Sequence, residues 1–194
     1  MPKVSFDAGK RKKYASMDEL FASMEDALGL DMEDQPSEEE DEGDVTLDAG
    51  IIIMHMKGTP LTMQQNPQYD DVITEVAHYL ESRIFQLHQQ GIDPSRMVID
   101  PGIGFGKTPE QNLQILRRLA EFRILGQPIL IGTSRKSTIG LVLNLPVEDR
   151  IEGTSATVAL SIAAGADIVR VHDVKEMIRV VRMSDAIVRG WDQI

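Results

Sequence analysis

Four short segments of this chain carry residue types suited to polar chemistry, and each closes an apolar run. His55 ends Ile51-Ile52-Ile53-Met54, and Asp100 ends Arg96-Met97-Val98-Ile99. Gly132-Thr133-Ser134-Arg135-Lys136-Ser137 follows Pro128-Ile129-Leu130-Ile131, and His172-Asp173 ends Ile168-Val169-Arg170-Val171. The 134–137 stretch places two cations and two hydroxyls directly behind an apolar run, a set suited to a carboxylate or a phosphate. Arg170 and His172 lie two residues apart, so in a strand they share a side. An arginine on a buried side needs a partner; an ion pair with Asp100 or Asp173 is one solution, an anionic ligand another.

Behind Asp100 stands Pro101-Gly102-Ile103-Gly104-Phe105-Gly106-Lys107-Thr108. The phosphate-loop pattern G-x-x-x-x-G-K-[ST] requires glycine at 101, where the chain has Pro101. The dinucleotide pattern G-x-G-x-x-G starting at Gly102 requires glycine at 107, where it has Lys107. Two readings remain open: a glycine-rich loop that brings backbone close to a ligand, with Asp100 beside it, or a tight turn in which Asp100 caps a helix or meets solvent. His55, His78, His88 and His172 have no metal-ligand spacing and no H-E-x-x-H is present, so no protein metal site is expected.

The elements that position these residues alternate. The apolar runs 51–55, 96–100, 128–131 and 168–172 predict four buried strands. Between and after them, helices are expected up to about Gln90 (apolar face Val72, Val76, Tyr79, Leu80, Ile84, Leu87), over Pro109–Phe122, near 148–164 with small residues for close packing, and from Val174 to about Arg189. Strands alternating with helices predict a parallel sheet with right-handed crossovers. Chemistry in such sheets sits at the C-terminal strand ends, where all four polar segments fall.

The chain has 194 residues, no cysteine and a formal charge of −11. Disulfide scaffolds, thiolate metal sites and cysteine nucleophiles are therefore excluded. The charge argues against a general nucleic-acid binder. It is unevenly placed: residues 1–50 hold 5 basic and 15 acidic side chains, residues 51–194 hold 15 and 16. Two parts are therefore expected, an N-terminal arm over 1–50 and a near-neutral domain over 51–194. In the arm, Lys10-Arg11-Lys12-Lys13 is a basic run, either solvated or a localisation or nucleic-acid signal. Ser16 and Glu19 form a capping-box pattern opening a short amphipathic helix over 16–29 (Met17, Leu20, Phe21, Met24, Ala27, Leu28). Residues 31–50 are strongly acidic and read as an extended, disordered linker. With no run near the roughly 18 apolar residues of a membrane span, and no secretory or transit pattern at the start, a cytoplasmic protein without membrane partners is expected.

Met54-His55-Met56-Lys57-Gly58, Asp100 through Lys107, Gly132 through Ser137, and Arg170-Val171-His172-Asp173-Val174 together resemble dihydropteroate synthase, in family order and spacing over about 140 of the 194 residues. The resemblance implies a (β/α)₈ TIM barrel, of which this chain holds four β–α units similar to units five to eight. It implies a transferase of folate biosynthesis that joins 6-hydroxymethyl-dihydropterin diphosphate to p-aminobenzoate and releases pyrophosphate. By that likeness Asp100 meets the pterin amino-pyrimidinone edge, Lys136 its carbonyl and ring nitrogen, and Arg170 its flat face. Met54 and Phe105 line the pocket, Gly132 and Arg135 belong to the substrate-binding loop, and Ser134 helps hold the benzoate carboxylate. Arg170 and His172 lie where the family holds the diphosphate; Lys136, Arg170 and His172 are the expected catalytic set. Mg2+ is expected only through the substrate diphosphate.

The family's first four units have no counterpart in 1–50: neither the Asn-Val-Thr-Pro-Asp-Ser-Phe-type strand with its magnesium-binding Asn, nor the Thr/Arg loop, nor the Asp and Asn of strands three and four. A half barrel exposes sheet edges and an apolar face, so a first-half polypeptide or a homo-oligomer is expected to cover them. A catalytically inactive pterin-binding remnant, or an interaction module with a docking helix, is the alternative. A tetrahydrofolate-binding methyltransferase shares the barrel, but the Ser-Arg-Lys loop favours the synthase.

Overall fold

The computed structural model describes residues 49–191. The basic run at 10–13, the helix expected over 16–29 and nearly all of the acidic stretch at 31–50 lie outside the described residues. Four parallel strands follow one another in space as they do in sequence. β1 (Ile51–Met54) pairs with β2 (Met97–Asp100), Ile51 opposite Met97 and Met54 opposite Asp100. β3 (Leu130–Ile131) pairs with β4 (Ile168–Val169). A parallel bridge from Ile99 to Ile129 joins the two pairs, and Ile99 N–H donates to Pro128 O at 2.9 Å.

Among the described residues, five α-helices run between and after the strands: α1 (Val72–Gln89), α2 (Pro109–Arg117), α3 (Ser137–Leu143), α4 (Ile151–Ala163) and α5 (Val174–Arg189). Sequential parallel order with right-handed crossovers puts the helices on one face of the sheet. There α1 packs on α2, α2 on α3 and α4, and α4 on α5. Side chains alternate across the strands. Met97, Ile99, Ile129 and Ile131 enter the helix-side core with Val76, Leu80, Ile115, Leu119 and Phe122, all essentially inaccessible. Val158, Ile162 and Met177 continue it, with Val169 and Val171 packed against them. On the opposite face Ile52 and Ile168 are 57% and 40% exposed.

The boundaries depart from the sequence expectation where local chemistry overrides periodicity. α1 starts only at Val72, because the Asp71 carboxylate accepts the Thr74 N–H at 2.8 Å and caps it there; residues 60–65 form turns instead. α2 opens on a capping box between Thr108 and Gln111. It ends at Arg117 rather than Phe122, continuing as a 3₁₀ helix over Leu119–Leu125 that stops at Gly126 with φ +70°. α3 is an element beyond those the periodicity predicts: seven residues directly after the Ser-Arg-Lys segment, closed by Asn144 in the left-handed region and followed by Pro146. The expected helix near 148–164 begins at Ile151, after a 3₁₀ turn at Val147–Asp149. β4 stops at Val169, so Arg170 and His172 lie just past the strand, although Arg170 N–H still donates to Ile131 O at 2.9 Å.

Phe122 is 0% exposed at the junction of the 3₁₀ helix with the core. Phe122→Ala is expected to cost about 3–5 kcal/mol, read as a lower urea midpoint.

Candidate functional site

The last residue of β2 anchors the site. Asp100 faces the same side of the sheet as Met54, its register partner on β1, and is buried at 5% exposure. Its Oδ1 accepts the Gly102 N–H at 2.8 Å. Burial pushes this carboxyl up from the usual range, opposed by the Gly102 N–H and by Lys136, Arg170 and Lys107. Asp100 is therefore a desolvated carboxyl within electrostatic reach of three basic side chains. Of the two readings open for Asp100, neither a helix cap nor a solvated group describes it; it is a desolvated acceptor at a glycine loop.

That loop can exist only with glycines. Gly102, Gly104 and Gly106 have φ of +72°, +81° and +68°, a region L side chains rarely enter. A Cβ on Gly102 would stand 1.9 Å from His55 O, and one on Gly106 2.4 Å from Lys57 O. The loop is thus laid directly on the end of β1. Asn112, one turn into α2, is buried and accepts the Gly104 N–H at 2.8 Å, while its Nδ2 donates to Thr138 Oγ1 at 3.1 Å. This ties the glycine loop to α3.

Lys136 stands at the N-cap of α3. Its ammonium donates to Ile103 O and lies 4.6 Å from the centre of the Phe105 ring. Burial lowers it to about 8, with Asp100 opposing and Arg170 adding. Arg135 just before it takes a left-handed backbone, φ +57°. Arg150 holds that conformation by donating to Arg135 O at 2.9 Å, and Thr154 Oγ1 accepts the Arg135 N–H at 3.2 Å. The Arg135 guanidinium forms a fork with Asp173, Nε to Oδ2 at 3.0 Å and Nη2 to Oδ1.

That fork corrects one expectation. Asp173 is taken by Arg135 and so is not the partner of Arg170; among the described residues Arg170 makes no ion pair with Asp100 either. Arg170 is exposed on the open face of the sheet rather than buried. Its guanidinium lies over Gly132, where a Cβ would come within 3.5 Å of Nε. The Ser134 hydroxyl accepts the His172 backbone N–H at 3.1 Å and lies 3.0 Å from His172 Nδ1.

Met54, Asp100, Phe105, Gly132, Ser134, Lys136, Arg170 and His172 thus come to one end of the sheet, while Arg135 faces Asp173. Sequence reasoning assigned no role to the buried Lys107, to His55 as its partner, or to Asn112. Lys107 donates to His55 Nδ1 (2.8 Å), Gly102 O (2.9 Å) and Phe105 O (3.1 Å). Burial lowers it to about 7, partly offset by Asp100 and reinforced by Lys136. His55 falls to about 3, through burial first and then Lys107 and Lys57. A lysine closing a glycine loop at a strand end was the available signal.

Fold and side-chain placement define the class: an α/β protein whose parallel strands carry a desolvated carboxyl and basic side chains at their C-terminal ends. A family described as pterin binding enzyme matches residues 43–172. The chain is 46% identical over 142 residues to dihydropteroate synthase of Synechocystis sp., covering 73% of this chain and 49% of the relative. It is 44% identical over 136 residues to that of Escherichia coli, covering 70% and 48%. Among solved structures, dihydropteroate synthase of Yersinia pestis with a sulfonamide drug complex matches with a TM-score of 0.71 at 37% identity, over 73% of this chain and 52% of the other. The Thermus thermophilus enzyme in complex with 4-aminobenzoate matches with a TM-score of 0.66 at 38% identity, over 70% and 56%. This chain belongs to the pterin binding enzyme family, and its α/β fold resembles dihydropteroate synthase. The chain spans about half the length of the curated relatives it matches.

His55 is held neutral in the folded chain down to about 3, against its usual 6.5, so folding releases its proton in that range. Where the unfolded chain binds more protons, stability rises with pH. The His55 contribution is therefore present above pH 6.5 and lost as pH falls toward 3. Urea midpoints measured against pH are expected to show that acid-side decline, with a shallower slope in His55→Phe.

Proposed function

We propose that this chain is the C-terminal, pterin-binding part of a dihydropteroate synthase-type transferase of folate biosynthesis. The observation that carries the reading is the desolvated Asp100 carboxylate, under the electrostatic influence of Lys136 and Arg170, at the end of a parallel sheet. An amino-pyrimidinone offers a pair of N–H donors that a carboxylate accepts together, a charge-assisted bidentate contact. Lys136, held at Ile103 O and over Phe105, reaches the carbonyl and ring nitrogen of the same heterocycle. Arg170, above Gly132, has the planarity to stack on the ring, which lysine lacks. Relatives crystallised with pteroic acid and with 4-aminobenzoate support the same substrate pair.

In this reading the diphosphate of 6-hydroxymethyl-dihydropterin lies against Arg170 and His172. The C–O bond to the diphosphate breaks, its electron pair leaving with pyrophosphate. The aniline nitrogen of p-aminobenzoate then forms the C–N bond and loses a proton. The residues here orient the pterin edge and stabilise charge on the departing group, so catalysis is mainly positioning and electrostatics. Ser134, with its hydroxyl on His172, meets the benzoate carboxylate in this reading. Among the described residues no group of three or more His, Cys, Asp or Glu side chains converges. Magnesium is assigned to the substrate diphosphate, and no step is routed through it.

In the same proposal β1–β4 and their helices form a half barrel corresponding to units five to eight, over 51–194, with 1–50 as an acidic arm. The exposed Ile52 and Ile168 support a first-half polypeptide, or a second copy, as the layer that completes it. A cytoplasmic setting completes the reading; among the described residues no helix is long and apolar enough to cross a membrane.

Two outcomes are expected. The purified chain alone shows no synthase turnover, and adding a first-half polypeptide from a relative restores some; turnover by the chain alone would overturn the need for that half. Arg170→Ala is expected to abolish binding of 6-hydroxymethylpterin diphosphate in calorimetry, and an unchanged affinity would sink the assigned pocket.

A further inference from the structure

Lys107 is a group that the proposed chemistry does not use, and it is 2% exposed. An ammonium taken out of water is tolerated only when its donors are met. Lys107 has three donors and three acceptors, two loop carbonyls and a ring nitrogen, at 2.8–3.1 Å. For His55 Nδ1 to accept, the imidazole must be neutral and carry its proton on Nε2. Its ring is held by an edge contact to Tyr79 at 4.9 Å between centroids. His55 is also fixed to β2, its backbone N–H donating to Asp100 O at 3.0 Å.

The two carbonyls that Lys107 captures belong to residues whose other atoms set the pocket. Gly102, held through its oxygen, puts its N–H on Asp100 Oδ1. Phe105, held likewise, presents its ring to Lys136, while Ile103 O between them accepts from the Lys136 ammonium. We propose that Lys107 is a positioning residue: its buried ammonium braces the glycine loop against His55 and thereby sets Asp100 and Lys136 for the substrate edge without touching substrate. The substrate part rests on the pterin reading above; the brace itself does not.

The test uses the full chain and Lys107→Met, which keeps the length of the side chain and removes the donors. Amide exchange at Gly102 and Gly104 is expected to accelerate at least tenfold. The ¹⁵N resonance of His55 Nδ1 should move as its donor is lost, and affinity for 6-hydroxymethylpterin in calorimetry should weaken at least tenfold. Unchanged exchange at both glycines, or accelerated exchange with unchanged pterin affinity, overturns the proposal. Should Lys107→Met fail to fold, His55→Phe removes one acceptor, keeps an aromatic ring on Tyr79, and is read by the same exchange and affinity criteria. If the wild-type chain binds no pterin, the functional reading fails, while glycine exchange and the His55 resonance still decide the brace.

Discussion

A carboxylate and a lysine buried together at the ends of parallel strands, with a second, half-buried lysine beside them, are the constraint around which the rest is arranged. Each charge loses several kcal/mol of hydration on burial, so each must be met by groups that cannot move away. Asp100 receives a backbone N–H from a loop that only glycines can form. Lys107 and Lys136 donate into carbonyls of that same loop. Removing the loop's shape would strand three charges at once.

The helices serve this constraint as much as they serve the core. Asn112, on the first turn of α2, links the glycine loop to Thr138 of α3. Arg150, beside α4, steadies the left-handed backbone of Arg135, which in turn aims Lys136. The Arg135–Asp173 fork connects that segment to the start of α5. Side chains thus tie the loops after β2, β3 and β4 to one another. This suits a parallel sheet in which neighbouring units cannot share a hairpin.

Arg170 is the exception that gives the site its character. It stands over Gly132 on the open face of the sheet, exposed and with no ion pair among the described residues. The formal charge of −11 is concentrated in residues 1–50 and says nothing of the pocket.

Much was legible in the chain itself. Apolar runs of β-branched residues must be buried on both sides or one, and their alternation with amphipathic stretches leaves a parallel sheet with polar strand ends as the consistent arrangement. His55, Asp100, Ser134, Lys136, Arg170 and His172 could be grouped for that reason alone. Spacing could not say which charges pair, because pairing depends on distances between segments tens of residues apart. Asp173 meets Arg135 rather than Arg170, and Lys107 turns inward to His55, 52 residues away. Nor could periodicity show α3 or the end of α2, where a cap or a left-handed residue outweighs the apolar pattern. Local residue types determined the strands and the polar ends; only the packed fold, through desolvation and the hydrogen bonds it demands, decided which groups face each other.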